Sequence, residues 1–212
     1  CIQGLKQTKK TEDKYNYGKG LVALGEIYLA EDKFDSSKFS KFLKDIKTNA
    51  EETDSDVLTA YYYYFESKKH LKENNKTEFK KSYKKLQKVL EKVDNKEINI
   101  QSIFLELEFN ILDKDISNAK KILDKINSSL KTAEFFYLRL EAIYQHSLLL
   151  KLENNFKEAQ QVIETGIDFA KLRNYKLFLY KAMILDIELK NTLKISSDID
   201  KLNLKRLEKE IK

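Results

Sequence analysis

The pattern of apolar and polar positions along the chain predicts helices from Leu21 onwards. Leu21, Leu24 and Tyr28 lie at intervals of three and four residues, which places their side chains on one face of a helix. A polar break over residues 31–33 follows, and then a second apolar stripe with helical spacing that includes Phe39 and Ile46. The pattern therefore predicts a helical hairpin, in which a short polar turn joins two helices.

The same hairpin recurs along the rest of the chain. Polar breaks over residues 72–77, 113–115 and 153–155 separate the paired helices of the second, third and fourth hairpins, and a fifth hairpin begins at Tyr175. The apolar residues that follow the breaks lie 45, 37 and 40 residues apart, at Phe34, Phe79, Ile116 and Phe156. Periods of this length are typical of helical-hairpin solenoids. We therefore predict an all-α solenoid of about five hairpins that forms one continuous domain over residues 18–212.

A charged helix is predicted from about Ser197 to the end of the chain. Ser197 and Asp200 have the spacing of a capping box. The apolar residues of this helix predict that it covers the end of the array as a capping helix. They are Ile199, Leu202, Leu207 and Ile211.

Composition agrees with an ordered helical chain. The 212 residues include five glycines and no proline, and this scarcity argues against sheets and tight loops. Hydrophobic residues make up 42% of the chain, which is enough apolar surface to offset the entropy lost on folding.

Two segments of the predicted hairpins resemble tetratricopeptide repeats. Leu24-Gly25 followed by Tyr28 is similar to the Leu-Gly-x-x-Tyr pattern in the first helix of that family. The segment from Phe156 to Ala159 is similar to the aromatic-x-Glu-Ala opening of the second helix. The resemblance implies a right-handed solenoid whose first helices line a concave groove for a peptide or a partner helix. The chain departs from the family in having no proline after the second helix of any repeat.

The chain begins at its only cysteine, Cys1. Cys1-Ile2-Gln3-Gly4 resembles the mature start of a bacterial lipoprotein, and the resemblance implies acyl chains on Cys1 and anchorage in the bacterial cell envelope. Residues 1–17 are therefore predicted to be a lipid anchor and a flexible polar tether. Truncation of a longer chain at this position is the alternative interpretation.

Aromatic residues are concentrated on the first helices of the predicted hairpins. The run from Tyr61 to Phe65 contains five consecutive aromatic residues, which point to all sides of a helix. Tyrosine suits a surface that binds a protein because it offers both apolar area and a hydroxyl. The alternative is that these rings fill the space between hairpins. The candidates for an aromatic partner-binding groove are Tyr28, Tyr61, Tyr62, Tyr64, Phe136 and Tyr144.

The net charge of +6 is concentrated in one hairpin. Between Glu66 and Lys92 there are ten lysines and four glutamates. On the second helix of this hairpin, six lysines form a stripe opposite Phe79 and Leu86, and such a stripe can contact an acidic protein or anionic lipid head groups. The alternative is an ordinary solvated face in a lysine-rich chain. The stripe consists of Lys80, Lys81, Lys84, Lys85, Lys88 and Lys92.

No pattern in the sequence predicts catalysis, a cofactor or a metal site. His70 and His146 lie far apart in the chain, and neither has further ligands at metal-binding spacing. His146 and Ser147 are adjacent on a predicted helix, where their side chains diverge, so they do not form a nucleophile–base pair. The glycines do not cluster into a phosphate-binding loop.

These patterns together predict a non-catalytic, membrane-anchored adaptor that binds a protein partner in an aromatic-lined groove and acts in cell-envelope assembly. One alternative is a surface-exposed lipoprotein whose basic hairpin contacts host molecules or anionic ligands. The other is an accessory protein for transport or small-molecule binding. A nucleic-acid partner is not expected, because a lipid-anchored protein lies outside the cytoplasm.

Overall fold

The computed structural model describes residues 13–30, 34–131 and 134–211. These residues form ten helices and no strand, so the all-α prediction is confirmed, and the packing of consecutive helices is that of a helical repeat. The helices are α1 (Lys14–Ala30), α2 (Ser36–Glu52), α3 (Asp56–Lys72), α4 (Lys76–Leu90), α5 (Lys96–Leu112), α6 (Ile116–Leu130), α7 (Phe136–Leu152), α8 (Phe156–Arg173), α9 (Lys176–Thr192) and α10 (Asp198–Ile211).

The helices begin at regular intervals, which corrects the irregular spacing read from the sequence. Helices α2, α4, α6 and α8 begin at residues 36, 76, 116 and 156, and α3, α5, α7 and α9 begin at 56, 96, 136 and 176. The hairpin period is therefore 40 residues from α2 to α9, whereas α1 and α10 begin two residues away from this register. In this register Phe39 corresponds to Phe79, and both rings are almost fully buried. The aligned residue in the sequence was Phe34, which precedes α2 and packs against Phe39, with ring centroids 5.2 Å apart and the ring planes tilted by 55°.

Local chemistry at the turns explains where the helices begin and end. The carboxylate or amide oxygens of Asp35, Asn75 and Asp115 accept hydrogen bonds from backbone N–H groups in the first turns of α2, α4 and α6. Such N-caps satisfy donors that have no partner within the helix. Helices α3, α5 and α7 are each followed by a residue of positive φ, such as Asn74 at 54° and Asn154 at 61°. Asparagine tolerates this conformation better than most residues, so the polar breaks act as helix stops.

The contacts between residues divide the chain into two compact units, Cys1–Leu105 and Glu106–Lys212. The core of the first unit is aromatic. The ring of Phe65 is fully buried, and it lies 5.2 Å from the ring of Phe42 and 6.3 Å from that of Phe39. A β-carbon added at Gly25 would lie within 2.7 Å of atoms of Phe42 and Phe65. Gly25 therefore allows α1 to approach these rings closely.

The core of the second unit is aliphatic and joins α7, α8, α9 and α10. Ile163 and Leu189 are fully buried there, and Leu207 attaches α10 to the same cluster. A β-carbon added at Gly166 would lie 2.9 Å from a methyl group of Ile143, so this glycine also marks a close approach. The prediction that the whole chain forms one continuous array remains a prediction.

The predicted boundary between the tether and the first helix differs from the structure. Helix α1 begins at Lys14, inside the segment predicted to be a tether, and the backbone N–H of Tyr17 donates to the carbonyl oxygen of Asp13. Residues 1–12, including Cys1, lie outside the described residues.

Two of the four apolar residues predicted to lie on the buried face of α10 are exposed. Ile199 and Leu202 are 75% and 51% exposed, whereas Leu204 joins Leu207 and Ile211 at the core. The predicted capping box is also replaced by other contacts. The hydroxyl of Ser197 donates to Asn191 Oδ1, and the carboxylate of Asp200 binds Lys190.

Candidate functional site

Two of the predicted groove residues belong to the core. Tyr61 and Tyr64 are only 7% and 5% exposed, and their rings lie against the ring of Phe65. Burial raises the pKa of the Tyr61 hydroxyl, with a smaller contribution from the charge of Glu97. These two tyrosines fill the space between helices, so their assignment to a binding surface is corrected.

Tyr28 and Tyr62 are half-buried and present part of each ring to solvent. The ammonium group of Lys38 lies 4.2 Å from the ring centroid of Tyr28. The hydroxyl of Tyr62 donates to Glu66 Oε1 at 2.6 Å. Burial, followed by this hydrogen bond, raises the pKa of the Tyr62 hydroxyl. These two residues are the predicted groove residues that remain accessible in the first unit.

Tyr144 and Phe136 lie in the second unit and differ in exposure. Burial raises the pKa of Tyr144 to about 12, and the ammonium group of Lys181 lies 4.4 Å from its ring centroid. Phe136 stands at the first turn of α7 and is 37% exposed. Only Phe136 presents a large part of its ring to solvent.

The lysine stripe borders a cleft between α3 and α4, with a volume of about 330 Å³. Glu66 on α3 and Glu78 on α4 contribute two carboxylates, of which Glu66 accepts from Tyr62 and Glu78 binds Lys81 at 2.6 Å. The remaining lining consists of His70, Ser82, Lys84, Lys85 and Lys88. The cleft is therefore predominantly basic, and its carboxylates are already engaged.

Among the described residues, three of the cleft lysines form no salt bridge with a carboxylate, although the pKa of Glu78 is lowered by a side-chain hydrogen bond and, to a smaller extent, by the charge of Lys85. The ammonium group of Lys85 lies 5.7 Å from the ring centroid of Tyr63. Lys84 and Lys88 are exposed and form no ion pair in the part of the chain that the structure describes. Three cations at neighbouring helical positions repel one another, and an anion placed between them relieves the repulsion.

The basic character of the cleft is specific to α4. Because the period is 40 residues, the positions of Lys81, Lys84, Lys85 and Lys88 can be compared with those of the other second helices. They correspond to Lys41, Lys44, Asp45 and Thr48 in α2, to Lys121, Asp124, Lys125 and Ser128 in α6, and to Gln161, Glu164, Thr165 and Asp168 in α8. The formal charge is +4 in α4, +1 in α2 and α6, and −2 in α8. A general bias toward lysine would not produce this difference.

A second cleft, which sequence reasoning missed, lies in the second unit between α7, the end of α8 and Tyr175. Its volume is about 120 Å³. Arg173 and Arg139 both lie over the exposed ring of Phe136, with distances of 4.7 and 5.6 Å from guanidinium carbon to ring centroid. The sequence marked these two arginines only by their rarity, because the chain has three arginines among its 40 basic residues, and it did not join them to Phe136. The lining residues are Phe136, Arg139, Leu140, Ile143, Phe169, Arg173 and Tyr175.

A cluster of charges around the buried carboxylate of Asp186 holds α10 against α9. Lys190 Nζ lies 2.8 Å from Asp186 and 3.0 Å from Asp200 on α10. Burial raises the pKa of the Asp186 carboxyl, although its hydrogen bond with Lys190 opposes the shift. Burial disfavours the charge on Lys190, but hydrogen bonds to both aspartates outweigh it and raise the pKa of this ammonium group. Every charge in this cluster has a partner, so its role is structural.

Comparisons with known proteins do not add to this description. No family model matches the chain, and no curated protein matches it in sequence. None of the helices described is long and apolar enough to cross a membrane. Across the same residues, no group of three or more His, Cys, Asp or Glu side chains is placed to hold a metal ion. The fold therefore defines the class only as an all-α, helical-repeat-like protein.

Proposed function

We propose that this protein is a non-catalytic helical-repeat scaffold that binds an acidic segment of a partner protein in the basic cleft between α3 and α4. The observation that carries the proposal is the group of lysines at this cleft, which the equivalent helices lack. The proposal includes the right-handed, tetratricopeptide-like solenoid of about five hairpins with α10 as its cap.

The shape of the cleft favours a protein segment over a membrane surface. Lys84, Lys85 and Lys88 border a concavity whose other wall is formed by Glu66 and His70 on α3. A bilayer is flat on this scale and contacts the most protruding side chains, whereas an extended segment can enter the cleft. Both carboxylates of the cleft already have partners within the protein. The cleft lysines can therefore attract acidic residues of a partner protein and accelerate its association.

The proposal retains only the accessible aromatic residues of the predicted groove. Tyr62 and Tyr63 lie next to each other on α3, with ring centroids 4.9 Å apart, and both are half-buried. Their exposed edges offer apolar contact beside the basic cleft, which is the combination that a protein–protein interface uses at its centre and rim. Tyr28 remains a further accessible aromatic residue of the first unit.

Removal of three cleft lysines is expected to weaken binding of an acidic peptide about tenfold, because each exposed ion pair contributes up to about 1 kcal/mol. The variant is Lys84→Gln/Lys85→Gln/Lys88→Gln, and the probe is fluorescein-labelled octaglutamate measured by fluorescence anisotropy. The affinity of the unchanged protein should fall as salt is raised, since salt screens exposed charges.

The matched control is Lys121→Gln/Lys125→Gln/Lys157→Gln, which removes the same charge from three exposed lysines of α6 and α8. Its affinity for octaglutamate should stay within about twofold of the unchanged protein. Equal weakening by both triple variants would mean that binding follows net charge alone and would refute the cleft as the site.

Position-specific cross-linking in the native cell tests the scaffold role itself. A photoreactive residue at Lys84 should capture one predominant protein, and the same residue at Lys121 should not. Capture of the same proteins at both positions, or at neither, would contradict a partner-binding role for the basic cleft.

Attachment to a membrane through Cys1 remains a prediction, because Cys1 lies outside the described residues. If Cys1 carries acyl chains, the native protein should partition into the detergent phase of a Triton X-114 extraction, since each buried methylene contributes about 0.8 kcal/mol. The Cys1→Ser variant should partition into the aqueous phase. Aqueous partitioning of the native protein would show that the anchor is absent.

A further inference from the structure

The second cleft is lined by two phenylalanines that have no aromatic counterpart at the equivalent positions of the other hairpins. Phe136 occupies a first-turn position that holds Asp56, Lys96 and Lys176 in the other first helices. Phe169, which is 48% exposed, occupies the position of Asn49, Val89 and Ser129. Phe136 is therefore exposed at a position that is charged in the other first helices, and Phe169 is the only aromatic residue at its position and is itself exposed. They indicate a surface that is used for binding.

The size of this cleft decides what kind of group it can accept. Pockets for small molecules usually enclose about 300–1,000 Å³, whereas this cleft encloses about 120 Å³. An engineered cavity of about 150 Å³ is large enough for benzene. The cleft is therefore the size of one large side chain, as in the pockets that receive the anchor residues of protein partners.

The arginines at the edge of the cleft indicate which residue of a partner would lie next to that side chain. Arg139 is held in place, because its guanidinium donates to the carbonyl oxygen of Leu130 at 3.1 Å. Arg173 is exposed, lies over the ring of Phe136 and forms no ion pair in the part of the chain described. The left-handed turn at Asn174 ends α8 directly after Arg173, so the backbone position of Arg173 is defined by the turn. A guanidinium held at the edge of an apolar cleft matches the geometry of a carboxylate better than a lysine does.

We propose that this cleft binds a large apolar side chain of a partner protein, and that Arg173 binds an acidic residue adjacent to it. The inference rests on the proposed function, since it requires that the protein bind partners, but it concerns a site in the other unit of the chain. A partner segment for this site combines an aromatic or leucine residue with a neighbouring aspartate or glutamate.

The test is an NMR titration of the ¹⁵N-labelled full chain with three blocked peptides. The first is acetyl-Ser-Glu-Phe-Glu-Ser-amide, the second has alanine in place of phenylalanine, and the third has lysine in place of both glutamates. The first peptide should shift the backbone amides of Arg139, Phe169, Arg173 and Tyr175. The alanine peptide should bind about tenfold to hundredfold more weakly, as expected for the loss of one buried aromatic side chain.

Variants separate this site from the basic cleft of the first unit. Arg173→Gln should weaken the first peptide about tenfold, as for one charge-assisted hydrogen bond, and Phe169→Ser should weaken it further. Arg206→Gln, which removes the third arginine from the exposed face of α10, should have no effect.

The variant Lys84→Gln/Lys85→Gln/Lys88→Gln should leave the shifts around Arg173 unchanged, so failure of one site does not imply failure of the other. Equal binding of the phenylalanine and alanine peptides, or shifts confined to α4, would overturn the inference. Equal binding of the lysine peptide would overturn the role of Arg173.

Discussion

Replacement of Phe65 by alanine is expected to lower the free energy of unfolding of the first unit by about 3–5 kcal/mol. Phe65 is fully buried, and its ring lies within 6.3 Å of the rings of Phe39, Phe42, Tyr61 and Tyr64. Removal of the ring takes away its apolar burial and leaves a cavity that four rigid rings cannot fill by small shifts. The loss is large compared with the stability of a typical domain, which is about 5–15 kcal/mol.

Urea denaturation followed by circular dichroism measures this loss, and hydrogen exchange of the α3 amides assigns it to the first unit. The matched control is Tyr63→Ala, which removes a half-buried ring two residues before Phe65 in the same helix. Tyr63→Ala should cost less than half as much as Phe65→Ala. Similar losses in the two variants would mean that the aromatic core of the first unit is not centred on Phe65.

Replacement of Lys190 by methionine is expected to destabilise the second unit by about 3–5 kcal/mol, as for removal of one partner of a buried ion pair. The side chain of Asp186 is only 3% exposed, and the variant leaves its carboxylate with the hydrogen bond from Gln160 Nε2 at 3.4 Å but without a cation. The variant also loses the bond between Lys190 and Asp200 that holds α10. Thermal unfolding monitored by circular dichroism measures the loss.

Two companion variants separate these effects. Asp186→Asn/Lys190→Met removes the unpaired charge and should recover more than half of the lost stability. Asp200→Asn removes only the link to α10 and should cost less than about 1.5 kcal/mol. If the double variant is no more stable than Lys190→Met, the unpaired carboxylate is not the cause of the loss.

The pH dependence of Lys190→Met follows from the pKa of Asp186. Burial raises this pKa in the folded protein, and loss of Lys190 removes a hydrogen bond and a positive charge that oppose the shift. A carboxyl whose pKa is higher in the folded than in the unfolded state binds its proton more tightly when folded, so protonation stabilises the fold. The deficit of the variant should therefore shrink as pH falls from 7 toward the ordinary aspartate pKa of about 3.9. A constant deficit over this range would contradict the mechanism.

Most of the helical architecture could be predicted from local sequence, because helices and their ends depend on neighbouring residues. The breaks at residues 113–115 and 153–155 coincide with the ends of α5 and α7, because their polar residues provide the helix stop, and at the first break Asp115 also provides the next N-cap. The 40-residue period of the hairpins was harder to predict from the sequence. The residues that correspond to Phe39 and Phe79 are Ala119 and Ala159, and small residues gave the apolar pattern no prominent position to align.

The candidate sites could be predicted only where a surface follows from one helix. The lysine stripe of α4 lies along a single helix, and its spacing in the sequence was sufficient to identify it. The Phe136 cleft brings together residues 136, 139, 169, 173 and 175 from three helical segments, and no local pattern joins them. Their proximity results from the packing of α7, α8 and α9.

The sequence by itself determined that this chain is helical, where the helices stop and which hairpin carries the excess positive charge. These properties depend on residue type and on spacing within about one turn of helix. Only the tertiary structure decided that Tyr61 and Tyr64 are buried while Tyr62 and Tyr63 are half-exposed, and that Ile199 and Leu202 face solvent. The face that a helix buries depends on the helices packed around it. Apolar and aromatic residues lie on all sides of α3, so its sequence periodicity does not distinguish the buried face from the exposed one.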